Sequence, residues 1–144
     1  MNLFGMLELS GSALGAERQR AEVVASNMAN AETTRTPAGG PYRRQLVVFQ
    51  SQRAPRFALA LAGFERANAS AVRVAAVVSD QRPPVMRFEP GHPDANAQGY
   101  VAYPQVDPIE EMTDLLGAVR AYELNASAVQ ATKNMIAQSL DLLR

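Results

Sequence analysis

Toward the end of the chain, apolar residues recur at alternating steps of three and four. They are Met112, Leu115, Val119, Tyr122, Ala126, Val129, Ile136, Leu140 and Leu143. Lys133 alone interrupts the row, and its aliphatic stem can lie along an apolar seam with the ammonium in water. The spacing predicts one long helix over residues 107–144. At about 1.5 Å per residue it would reach roughly 50 Å, far beyond the ~12-residue average of globular helices. A helix of that length needs a partner along all of it. Its start is marked too: Asp107 suits the N-cap, Pro108 the first helical position, and Glu110 the carboxylate of a capping box. Glu110, Glu111 and Asp114 place negative charge near the positive end of the helix macrodipole.

Leu124, Ala128, Ala131, Met135 and Leu142 form a second, weaker apolar stripe on this helix. Few charges flank the main seam, so the ion pairs that usually specify a two-stranded coiled coil are mostly missing. A helix that is apolar on two sides is suited to several neighbours. The N-terminal partner follows the same spacing, through Leu3, Leu7, Ser10, Leu14, Glu17, Ala21, Val24, Met28 and Ala31. It is expected to run from about residue 2 to 30 and to stop before the Thr-, Gly- and Pro-rich stretch at 33–41. Gly5, Gly11 and Gly15 each weaken a helix by roughly 1 kcal/mol relative to alanine. The first fifteen residues are therefore expected to order on assembly rather than in the free subunit.

Residues 42–50, 71–79, 85–89 and 99–103 have a different texture, rich in Val, Phe and Tyr and bounded by Pro, Gly, Asn and Asp. They read as short strands, with Val72-Arg73-Val74 the clearest alternation, and three or four of them with hairpin connections would form a small antiparallel sheet. Residues 51–70 are rich in Ala and Arg, and their pattern leaves loop and short helix equally open. The fold class is thus mainly α with a small β insertion (α+β): long terminal helices pair as a coiled-coil core and an antiparallel β segment lies between them. The divisions fall at 1–32, 33–106 and 107–144.

Composition narrows the function. The 14 basic and 14 acidic side chains balance, so no net field draws the chain to nucleic acid or anionic lipid. The absence of cysteine excludes a disulfide framework and thiol chemistry. No run of 18 apolar residues suggests a membrane span. The N-terminus lacks the basic start of a cleaved signal, and Glu8 interrupts its apolar run.

The search for chemistry returns little. His92 is the only histidine, and no nucleophile motif accompanies it. His92 and Asp94 lack the further ligands of a metal site. Pro90-Gly91-His92-Pro93-Asp94 reads instead as a rigid turn, with Gly91 free to take positive φ. Gly39-Gly40 lacks the lysine of a phosphate loop. Arg43 and Arg44 read as a solvated strand face or a contact to a partner's carboxylate. No catalytic, cofactor-binding or metal-ligating residue is assigned.

Several motifs nevertheless belong together. Ala25-Ser26-Asn27-Met28-Ala29-Asn30 with Thr33-Thr34 resembles the N-terminal signature of the bacterial flagellar axial proteins, the rod and hook subunits. The stretch from Thr34 to Arg44, the turn Pro90 to Asp94 and Gly99-Tyr100-Val101-Ala102-Tyr103-Pro104 are similar to those of proximal rod subunits within that family. Asp107-Pro108-Ile109-Glu110-Glu111-Met112, Arg120-Ala121-Tyr122-Glu123 and Ala131-Thr132-Lys133 complete the pattern in family order. The family usually has Asn-Pro where this chain has Asp107-Pro108, a swap that keeps the cap.

The resemblance implies a structural subunit that is exported through the flagellar type III apparatus without signal cleavage. It would assemble with other rod subunits and copies of itself into the periplasm-crossing rod, the motor's drive shaft, without inserting in the membrane or binding nucleic acid or a small-molecule substrate. Its assembly interface would use Leu7, Leu14, Ala21, Val24, Asn27, Met28 and Asn30 of the first helix. From the second it would use Met112, Leu115, Val119, Tyr122, Val129, Ile136, Leu140 and Leu143, with Asp107 and Glu110 as the cap. Asn27 and Asn30 admit two readings that do not exclude each other: ending the first helix, or bridging to a neighbouring subunit. A secreted coiled-coil adaptor unrelated to flagella is the alternative, and would be a stable helical oligomer on its own.

Overall fold

The computed structural model describes residues 3–52 and 71–142. The expectations for Leu143 and for nearly all of the stretch 51–70 lie outside the described residues. The order of elements is α1 (Leu3–Ala29), β1 (Gln45–Gln52), β2 (Ala71–Ser79), β3 (Val85–Phe88), β4 (Tyr100–Tyr103) and α2 (Pro108–Asp141). Two long terminal helices thus enclose a small antiparallel β segment in the sequence.

α1 packs mainly against α2. The two run antiparallel, because Asn27 at the end of α1 touches Glu111 at the start of α2. Counting equally from that contact, Leu3 falls level with about residue 135. The last six residues of α2, about 9 Å, therefore project past the start of α1. α1 is continuous through Gly5, Gly11 and Gly15. A methyl group at Gly11 or Gly15 would meet nothing within 4 Å among the described residues beyond its own helix backbone, so no packing contact there demands glycine.

The strands form two separate pairs, not the single sheet expected from their number. β1 pairs with β2, with a bulge between Val48 and Phe49 that leaves Ala75 unopposed, and β3 pairs with β4. Gln45, Val47, Val72 and Val74 of the first pair are half-buried on its inner side. α1 supports that side, where the Val72 amide donates to the Ser12 hydroxyl at 3.0 Å. β1 starts at Gln45 rather than at residue 42, since Tyr42 to Arg44 are drawn into the contacts described below.

The turn between β3 and β4 obeys a different glycine from the one expected. Gly91 is not among the glycines with positive φ; Gly99 is, at +81°. A side chain there would come within 2.8 Å of Phe88 Cε2. The Gly99 carbonyl accepts from the Glu89 amide, and the Asn96 side chain accepts from the amides of Gln98 and Tyr100. His92 serves the same turn, its Nδ1 accepting from the Asp94 amide at 3.1 Å. Asp94 in turn accepts from the Thr34 hydroxyl at 2.8 Å, holding the turn to the loop after α1.

Candidate assembly interface and its polar corner

The first turn of α2 forms because Asp107 caps it, its carboxylate accepting from the Ile109 amide at 2.9 Å, with Pro108 following. Glu110 does not close the expected capping box. Its carboxylate turns instead to Arg44 Nη1, 3.2 Å away. That choice opens onto a buried cluster where α1, β1 and α2 meet.

Asn27 and Glu111 are both 0% exposed. The Asn27 amide nitrogen donates to the Gln45 carbonyl and to Glu111 Oε2, each at 2.9 Å. Its oxygen accepts from the Gln45 amide at 2.9 Å and from the Tyr42 hydroxyl at 3.0 Å. Both donors and both acceptor sites of the amide are therefore filled. Glu111 Oε1 accepts from Arg44 Nε. Arg44, buried as well, also faces Asp114 at 3.6 Å, and Asp114 is shared with Arg20 of α1 at 3.3 Å. Burial works against the Arg44 charge, but Glu111 and Glu110 outweigh it and hold the guanidinium above its usual pKa. Asn27, Arg44 and Glu111 are each partnered, which is what lets such groups stay inside, whereas the buried Glu17 Oε2, 3.7 Å from Arg20 Nη1, accepts no hydrogen bond.

These contacts revise two expectations. Arg44 is neither a solvated strand residue nor in search of a partner's carboxylate, since its own chain supplies Glu111. Asn27 has no polar valence left for a neighbour. Asn30 follows the helix-ending reading, its amide donating to the Ser26 carbonyl at 2.9 Å and its oxygen accepting from the Thr33 hydroxyl. Single-sequence reasoning missed the Arg44–Glu111 pair because 67 residues separate them. The one available signal was two acidic residues in the first turn where a cap needs only one.

The pairing of the helices is as expected, but the face that α2 uses is not. Glu111, Asp114, Ala118, Ala121, Asn125, Ala128 and Thr132 follow the three-four spacing and are buried or half-buried. This seam lies one residue ahead of the apolar row, about 100° around the helix. Small side chains let α1 come close, and Thr132 satisfies its hydroxyl on the Ala128 carbonyl at 2.8 Å. Leu115, Val129 and Ile136 border the seam and are half-buried. Met112, Val119, Tyr122 and Leu140 stay exposed on the flank. On α1 the expected positions Leu7, Leu14, Ala21, Val24 and Met28 are all at least half-buried.

Two apolar flanks remain on α2. Ile109, Met112, Leu116 and Val119 line one side of the N-terminal half. Leu124, Met135 and Leu142 line the other side of the C-terminal half, with Leu124 72% and Leu142 88% exposed. Among the described residues, no helix is long and apolar enough to cross a membrane. Contiguous exposed apolar surfaces mark sites of interaction with a protein, a membrane or a ligand.

Comparison with known proteins gives the same regions a family. Residues 7–35 match the family described as "Flagella basal body rod protein", and residues 97–142 the "Flagellar basal body rod FlgEFG protein C-terminal". Over 99% of its length the chain is 40% identical to the flagellar basal-body rod protein FlgC of Bacillus subtilis, of which 99% is covered. It is 39% identical to that of Escherichia coli O6:H1, covering 99% of the chain and 98% of the relative. For that of Borreliella burgdorferi the figure is 36%, over 100% and 99%.

The chain belongs to the flagellar basal-body rod protein family.

The role that goes with membership is structural, in the flagellar rod. The first matched segment covers most of α1 and the start of the loop after it, and the second covers β4 and all of α2. The polar corner links these two segments through Asn27 and Glu111.

Proposed function

We propose that this rod-family subunit assembles with copies of itself and with other rod subunits through the terminal helices, forming the periplasm-crossing shaft that carries motor torque. One observation carries the reading: many of the large apolar side chains of α2 lie outside its own fold. Ile109 is 76% and Leu124 72% exposed, while Ala118 and Thr132 occupy the internal seam. Contacts on several sides of one helix that do not repeat on a two-fold axis generate a helical assembly. Torque would then pass through many interlocked side chains. Passage through the flagellar type III export apparatus before assembly is part of the same reading. A helix pair joined by small residues gives up little packing when it is threaded as an open chain.

The test is to change the flank without touching the fold. Leu124→Asp should leave the purified subunit folded and helical, yet abolish hook–basal bodies counted by negative-stain microscopy. Normal counts with Leu124→Asp, Met112→Asp and Leu140→Asp alike would place the assembly contacts elsewhere. A soluble, stably helical oligomer formed by the unaltered chain alone would favour the adaptor reading.

A further inference from the structure

The β1–β2 pair has an outer face as well as the inner face that rests on α1. By strand alternation Leu46 and Val48 point outward, opposite Val78 and Ala76. Past the bulge, Gln50 lies opposite Arg73 on the same side, and Arg73 Nη2 donates to Gln50 Oε1 at 2.8 Å. The outer face therefore reads as two apolar cross-strand pairs followed, about 13 Å from Leu46, by a cation. Leu46, Val48 and Val78 are all exposed. Arg73 meets an amide and, among the described residues, no carboxylate.

The N-terminal flank of α2 has the complementary order. Ile109, Met112, Leu116 and Val119 are exposed at steps of three and four, and the next position in the row is Glu123. From Ile109 to Glu123 is about 21 Å, and from Met112 about 16 Å. Among the described residues Glu123 has no ion pair. Each surface is thus an apolar strip that ends in a charge without an ion pair among the described residues, and the two charges are of opposite sign. The rest of the chain follows the same division: residues 33–106 carry 9 basic and 4 acidic side chains, and residues 107–144 carry 3 and 6.

We propose that the outer face of the β1–β2 pair seats on the N-terminal flank of α2 in a second copy of this chain, with Arg73 meeting Glu123. This rests on the assembly reading above and names one of its contacts. The apolar strips supply the buried area, and the charge pair sets the register between copies. The contact is heterologous, since each copy offers both halves, and so it propagates along an assembly instead of closing a dimer.

Cysteine pairs test it directly, because the chain has no cysteine of its own. One chain carrying Val48→Cys and one carrying Leu116→Cys are expressed together, and isolated basal bodies are mildly oxidised. A disulfide-linked species at twice the 15.5 kDa chain mass is expected. Val48→Cys with Leu142→Cys should give none. In parallel, Arg73→Glu and Glu123→Arg should each lower basal-body counts at least fivefold, and the two together should restore them to within twofold. Linked species with Leu142→Cys instead, or none when both chains are present in basal bodies, would overturn the contact while leaving the assembly reading standing. So would a double reversal as poor as the single ones. Absence of the unaltered chain from purified basal bodies would remove the assembly reading itself.

Discussion

The corner at Asn27, Arg44 and Glu111 and the flanks of α2 reverse the usual arrangement of a small protein. At the corner, a buried amide, guanidinium and carboxylate satisfy one another. On the flanks, Leu116, Leu124 and Leu142 stand in water. The two regions do different work. A polar cluster is directional: it forms only when α1, β1 and α2 sit at the right places, so it sets geometry more than it adds stability. An apolar flank is not directional and gains free energy against any surface that excludes water. The fold thus places directional polar contacts inside and leaves large apolar side chains of α2 on its surface.

The largest expected effect breaks the corner. Arg44→Met would leave the Glu111 carboxylate buried without its cation, a loss of about 3–5 kcal/mol. Urea denaturation of the isolated subunit measures it, and a change under 1 kcal/mol would mean that the corner does not govern the fold. Next comes the internal seam. Ala118 is 0% exposed where the helices approach, so Ala118→Leu should overpack them at about 1–3 kcal/mol. Were the apolar row the true internal seam, the same change at position 118 would be nearly silent. Smaller again is the flank: Leu124→Ser should alter the stability of the isolated subunit by no more than about 0.5 kcal/mol. Measured in the same urea series, a loss of 2 kcal/mol there would show that this flank belongs to the fold.

The smallest effect is one of pH, away from both regions. Glu89 accepts from the Tyr103 hydroxyl at 2.8 Å and raises the tyrosine pKa above its ordinary 10.0. The folded state therefore holds the phenolic proton more tightly than the unfolded chain. That contribution is complete below pH 10 and is lost as pH rises from there through the folded value. Tyr103→Phe should flatten the alkaline limb of the stability curve and leave the corner untouched. An unchanged limb would remove the Glu89 bond from the account.

Both long helices, the strands at 71–79 and 100–103 and the cap at Asp107 were legible in the sequence because each rests on short-range chemistry. Three-four spacing, β-branched runs and a side chain two residues from the amide it caps need no knowledge of distant parts. Glycine freedom was legible as a type of feature but not as a position. Sequence alone does not rank Gly91 against Gly99; the positive φ of Gly99 and the approach of Phe88 and Pro90 to it separate them in the fold.

What the tertiary structure alone decided is which face of α2 turns inward. Periodicity locates an apolar row but does not say whether the row meets its own chain or a neighbour's. In a monomer that completes its own core the two coincide, and the largest side chains go inside. Here the inner face is assigned by Arg44 and Asn27, which capture Glu111 and rotate the helix so that Ala118, Ala121 and Thr132 meet α1. A charge pair closed across 67 residues fixes the rotation of a helix, because an unpaired buried carboxylate is worse than several exposed leucines.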